Sequence, residues 1–151
     1  MIDIKNSSLK NWKDGQAKSI TFIVTKDCQL ACKYCYLVGK NSSERMSFDT
    51  AKIAIDYILS HEYDEIFAYK SVIWEFIGGE PFLEIDLIDK ICDYIKLELY
   101  RLNHHWFNSY MFSFTTNGLN YTSPSVQKFV KKNIKHLSIG ITIDGTRQQH
   151  D

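Results

Sequence analysis

One pattern recurs along the chain: an apolar, β-branched run, then a polar or glycine-bearing loop, then a stretch with apolar residues at helical spacing. Residues 19–24 (Ser-Ile-Thr-Phe-Ile-Val) form the first run. After a loop, Ser47 stands as an N-cap before Phe48, Ala51, Ala54, Ile55, Ile58 and Leu59, which share one face of a helix. The second run, residues 71–77, stops at Gly78-Gly79-Glu80-Pro81, and the helix after it carries Leu87, Ile88, Ile91, Ile95 and Leu99. Residues 111–115 are the third run and end at Thr116-Asn117-Gly118. Ser123 then caps a helix with Pro124 at its first position and Val126, Phe129 and Val130 toward the core. The fourth run, residues 137–143, ends at Asp144-Gly145.

Strands alternating with helices predict an α/β fold whose βα units pack as a parallel sheet with right-handed crossovers. In such sheets ligands sit at the carboxyl ends of the strands. Every polar or glycine-rich motif here comes after a strand and none precedes one, so four motifs are expected to converge on one sheet edge. The chain stops soon after Gly145 with no helix to cover the fourth strand, which reads as a truncated domain with an open edge. Residues 1–18 match no unit and are taken as an N-terminal appendage to a core spanning residues 19–151.

Charge narrows the partners. Lys plus Arg and Asp plus Glu are each 18 in 151 residues, so no overall field draws the protein to nucleic acid or an anionic membrane. No apolar run is long enough for a membrane span, and the polar start does not resemble a secretion signal. A cytoplasmic protein is expected, in which four cysteines read as metal ligands or buried thiols. Three of them, Cys28, Cys32 and Cys35, have the spacing C-x3-C-x2-C. Three thiolates on a short loop can ligate three irons of a cubane and leave the fourth open to a substrate. A zinc site would want a fourth ligand at paired spacing, and no second C-x2-C or H-x3-H is present. The adjacent His104 and His105 read as a solvated helix end, and Cys92, near Ile88 and Ile95, as a buried structural thiol.

At these residues the chain resembles the radical S-adenosylmethionine (SAM) superfamily, whose signature is C-x3-C-x2-C with an aromatic, here Tyr34, before the last cysteine. Gly78-Gly79-Glu80-Pro81 is similar to the family's GGE motif and Thr115-Thr116-Asn117-Gly118 to a third-strand motif. Ile143-Asp144-Gly145 resembles the fourth-strand motif of the anaerobic sulfatase-maturase and peptide-maturase branch. The resemblance covers roughly residues 19–146.

It implies a partial (β/α) TIM-like barrel, of which four βα units are visible, and a [4Fe-4S] cluster on Cys28, Cys32 and Cys35 fed by an external electron donor. It also implies SAM on the open iron, cleaved to a 5′-deoxyadenosyl radical. By family position Gly78 and Gly79 meet the methionine end, Glu80 is an acceptor near the ammonium or a fold anchor, and Tyr34 packs beside the adenine. Asn117 and Thr142 fall near the ribose or carboxylate and Asp144 near the substrate hydrogen; strand-end capping is an equal reading of those three. The implied substrate is a peptide or protein, such as a small ribosomal precursor peptide. A small-molecule or RNA substrate, or a non-catalytic iron–sulfur or zinc module, are the alternatives. Longer relatives often add a cysteine-rich SPASM domain, whose cysteines are not in this chain.

Overall fold

The computed structural model describes residues 16–37 and 42–143. Four parallel strands form one sheet in the order β1-β2-β3-β4. They are β1 (Ala17–Thr25), β2 (Ser71–Gly78), β3 (Tyr110–Thr116) and β4 (Leu137–Ile141). Helices α1 (Phe48–Ser60), α2 (Ile85–Arg101) and α3 (Pro124–Asn133) are the crossovers between them. Each strand lies beside the next in sequence, as short βα units demand.

The helix ends form where the residue types predict. Ser47 accepts the Thr50 amide and Ser123 the Val126 amide, each satisfying one orphan donor of a first turn. Ala51, Ile55 and Leu59 of α1, and Ile88, Ile91, Ile95 and Leu99 of α2, are buried. They cover a sheet face of Phe22, Val24, Val72, Trp74, Phe76, Phe112 and Phe114, also buried. This face is mostly aromatic: Phe22 stacks on Trp74 and on Phe76, and Phe76 on Phe114, with centroids 6.0, 5.7 and 5.2 Å apart. A fully buried side chain of this size contributes about 1.5–3 kcal/mol, so this layer is the main source of stability.

Because side chains alternate, the other sheet face carries a different set. Register places Thr21 opposite Glu75, Glu75 opposite Ser113, and Ser113 opposite Ser138, so a polar row crosses all four strands. This face has no helix against it among the described residues.

Two expectations need correction. β4 ends at Ile141 rather than at residue 143, although the Thr142 amide still donates to the Thr116 carbonyl at 2.9 Å. As a sheet edge with Ile141 and Ile143 exposed, it lacks the packing that would hold the last residues in the ladder. Residues 104–105 are not a solvated helix end. His104 is 3% exposed, and its Nδ1 accepts the Trp106 amide at 3.1 Å to start a 3-10 turn over His105–Asn108. The turn drives Trp106 under the sheet against Trp74, and burying that indole takes His104 with it. His105 is partly exposed. Asp144 lies outside the described residues, as do residues 1–15 of the appendage.

Candidate active site

Residues from the cysteine loop and from the ends of β2 and β3, with Thr142 beyond β4, meet around one cavity of about 440 Å³, within the range of small-ligand sites. Cys28, Cys32 and Cys35 line it from the β1 loop, Gly78 and Gly79 from the end of β2, Asn117 from the end of β3, and Thr142 beyond β4. The three cysteines are half-buried and form no disulfide, whereas Cys92 is fully buried in the core. Burial also pushes the Cys92 thiol well above its ordinary pKa. Tyr34 and Tyr36 line the same cavity and are 45% and 75% exposed, so their rings offer apolar surface at its mouth.

The cysteine loop is held at its base by backbone bonds. The Thr25 hydroxyl accepts the Asp27 amide at 3.1 Å, and Asp27 Oδ1 accepts the Cys28 amide at 2.9 Å. From the returning segment, the Glu44 carbonyl accepts the Lys26 amide, and the Met46 amide donates to Val24. Lys26 and Glu44 also pair as ions. From β2, the Gly79 amide donates to Thr25 at 2.9 Å and the Glu80 amide to Asp27 at 2.7 Å.

That last contact explains the two glycines differently from the expectation of ligand space. A Cβ on Gly79 would lie 2.1 Å from the Asp27 carbonyl oxygen, and one on Gly78 would lie 2.2 Å from that of Thr25. Both glycines are needed for β2 to approach the cysteine loop, not only for a ligand to approach β2.

Glu80 lies behind the cavity rather than on it. It is fully buried, and its carboxylate accepts from the Phe82 amide at 3.0 Å, the Thr116 hydroxyl at 2.6 Å and the Asn117 amide at 2.8 Å. A buried carboxylate is tolerated because three donors replace its water. It thereby ties the end of β2 to the end of β3. Asn117 carries the tie onward: its Nδ2 donates to Gln29 Oε1 at 3.4 Å and lies 3.8 Å from Cys28 Sγ. The Leu30 amide also donates to Cys28 Sγ, at 3.4 Å. N–H groups aimed at a sulfur stabilise thiolate character and tune a bound cluster, so this donor set fits an iron–sulfur group.

Sequence reasoning missed Thr25, Asp27 and Thr116. The signal was present as a Thr-x-Asp-Cys turn and a Thr-Asn-Gly turn, whose side chains bond backbone two residues away. The tie from Thr116 to Glu80 spans 36 residues and leaves no local trace.

A four-stranded half-barrel with a three-thiol loop at its carboxyl edge defines an α/β iron–sulfur domain. The chain belongs to the family described as the 4Fe-4S single cluster domain, whose model matches residues 14–150. It is 35% identical over 133 residues to the uncharacterized protein MJ0907 of Methanocaldococcus jannaschii, covering 87% of this chain and 40% of that one. It is 28% identical over 145 residues to the radical SAM cyclopropyl synthase TigE of Paramaledivibacter caminithermalis, covering 89% and 29%. Among solved structures, native anSMEcpe with bound AdoMet superposes with a TM-score of 0.65 at 21% identity, over 89% of this chain and 34% of that chain. The form with AdoMet and the Cp18Cys peptide gives 0.60 at 23% identity, over 89% and 33%. The fold is thus a partial TIM-like barrel, and the chain resembles the radical SAM superfamily in the branch its motifs indicate. It spans 40% or less of the length of these relatives.

Proposed function

We propose that this chain is the cluster-bearing part of a radical SAM enzyme that modifies a peptide or protein. The observation that carries the reading is the meeting of Cys28, Cys32, Cys35, Gly78-Gly79 and Asn117 around one cavity. Cys28, Cys32 and Cys35 would hold the [4Fe-4S] cluster, which would supply the one-electron chemistry of reductive SAM cleavage with an external electron donor.

The chain's own residues bind, orient and exclude water. The loop anchored on Asp27 and Thr25 sets the three thiols in place, and Glu80 fixes the β2 and β3 ends around them. Gly78 and Gly79 present bare backbone to the methionine end of SAM, and Tyr34 offers its ring face to the adenine. Asn117 and Thr142 have side-chain groups that suit a ribose hydroxyl or a carboxylate. Asp144, two positions after Thr142 in the sequence, is assigned to the neighbourhood of the substrate hydrogen on its place in the fourth motif.

The peptide class draws support from the fold neighbour solved with AdoMet and a peptide. Among the described residues no helix is long and apolar enough to cross a membrane, and a cytoplasmic setting suits three clustered cysteines that form no disulfide.

The test is anaerobic reconstitution of the full-length protein, assay of iron and sulfide, and measurement of 5′-deoxyadenosine after reduction with dithionite. About four irons per chain and SAM-dependent 5′-deoxyadenosine are expected. A loaded cluster without SAM cleavage would leave a non-catalytic iron–sulfur module.

A further inference from the structure

The concave face of the sheet, opposite the helices, holds a feature that the cluster site does not use. Thr21, Glu75, Ser113 and Ser138 stand directly across from one another on β1, β2, β3 and β4. Neighbouring positions in such a row are roughly 4.8 Å apart, so one carboxylate is flanked by hydroxyls on both sides. Thr21 Oγ1 donates to Glu75 Oε2 at 2.9 Å. Ile77 and Thr115, which line the cluster cavity, are each two residues further along β2 and β3. The row therefore lies one layer beneath the cavity, roughly 6.6 Å down the strands.

Glu75 is out of keeping with its surroundings. Carboxylates are disfavoured in strands, and this one sits between Trp74 and Phe76 in the middle of β2. It is half-buried, which weakens its hydration. Several other acids have a cation beside them: Asp56 pairs with Lys52, Glu98 with Arg101, Asp93 with Lys96 and Lys132, and Glu84 with Arg45. Among the described residues no cation pairs with Glu75, whose hydrogen bond is to the Thr21 hydroxyl. If wettability were the whole purpose, a fourth hydroxyl would serve without the charge.

We infer that this row is a substrate subsite, with Glu75 receiving a cationic group, ammonium or guanidinium, of a molecule whose reacting end lies in the cavity above. Ser113 and Ser138 accept its remaining N–H donors, and Thr21 holds the carboxylate in place. The inference rests on the proposed function only in taking the concave face as the substrate's side. It narrows the substrate to one carrying a positive group about one strand layer from the reacting atom.

The test uses full-length protein and three small probes followed by ligand-observed NMR at constant ionic strength: n-propylguanidinium, n-propylammonium and neutral n-propylurea. At least one cation is expected to bind and propylurea not to. Glu75→Gln, with the same shape and no charge, should weaken cation binding at least tenfold while leaving iron content unchanged, and Ser113→Ala should weaken it severalfold. Preference between the two cations distinguishes an arginine-like from a lysine-like group. Absence of cation binding, equal binding of propylurea, or unchanged affinity in both variants would overturn the inference. The readout needs no turnover, so failure of SAM cleavage alone would count against the proposed function and not against the subsite.

Discussion

The two ends of the sheet carry similar residue types and differ in what those residues have left to give. At the carboxyl ends, three thiols stand half-exposed around a cavity, with backbone and Asn117 N–H groups near Cys28. At the amino ends, Glu62, His104 and His105 bring possible ligand atoms within 4.8 Å of one another, as a metal site would. Their hydrogen bonds argue against a metal there. His104 Nδ1 accepts the Trp106 amide, so the ring proton is on Nε2, which lies 3.5 Å from Glu62 as a donor and not a ligand. His105 Nε2 faces the Tyr69 carbonyl at 3.0 Å, and Trp106 Nε1 donates to the same oxygen at 2.6 Å. His104 Nδ1 and the His105 ring are engaged in local folding contacts, whereas the three thiols line a cavity. Residue type nominates a site; the space beside it and the bonds around it decide it.

The largest effect expected of any single substitution separates the cysteines themselves. Cys28→Ala, Cys32→Ala or Cys35→Ala should abolish bound iron and its visible absorbance after anaerobic reconstitution. Cys92→Ala should keep the iron and cost about 1–2 kcal/mol of stability by opening a small core void. Iron loss in the Cys92 variant would erase the distinction between exposed and buried thiols.

Next come the ties beneath the cavity. Glu80→Ala orphans three donors and should cost about 3–5 kcal/mol in urea unfolding, with Glu80→Gln nearer 1–2 because the amide still accepts from some of them. Gly79→Val should lower iron content as well as SAM binding, because its Cβ drives into Asp27 at the base of the cysteine loop. Full iron loading with SAM binding alone lost would show that ligand space, not loop packing, dictates the glycine.

The smallest effect belongs to the amino end and reads out in pH. Burial and the neighbouring His105 lower the His104 pKa from 6.5 to about 4, so the unfolded chain binds the extra proton first on acidification. Stability from this group is present above pH 6.5 and falls as pH drops toward 4, by on the order of 2–3 kcal/mol. His104→Asn keeps a side-chain oxygen for the Trp106 amide and cannot titrate, so it should flatten that slope in thermal melts between about pH 7 and 4. An unchanged slope would place the acid sensitivity elsewhere.

Much of this was legible along the chain because it is local. Strand and helix periods, the Ser47 and Ser123 caps, and the apolar position of Cys92 each depend on residues within a turn or two, where spacing dictates geometry. The convergence of the motifs was legible too, since parallel βα units send the exit loop of every strand to the same sheet edge. Tertiary structure alone decided the rest. Whether Glu80 meets a ligand or two strand ends depends on Thr116 and Asn117, more than thirty residues away. The need for glycine at 78 and 79 depends on where the β1 loop passes, and the Thr21–Glu75–Ser113–Ser138 row depends on register between four separate strands. His104 was misread because a polar residue near a helix end is ordinarily wet. Here burial of Trp106, a contact between distant segments, carried it inside, and sequence spacing holds no measure of such contacts.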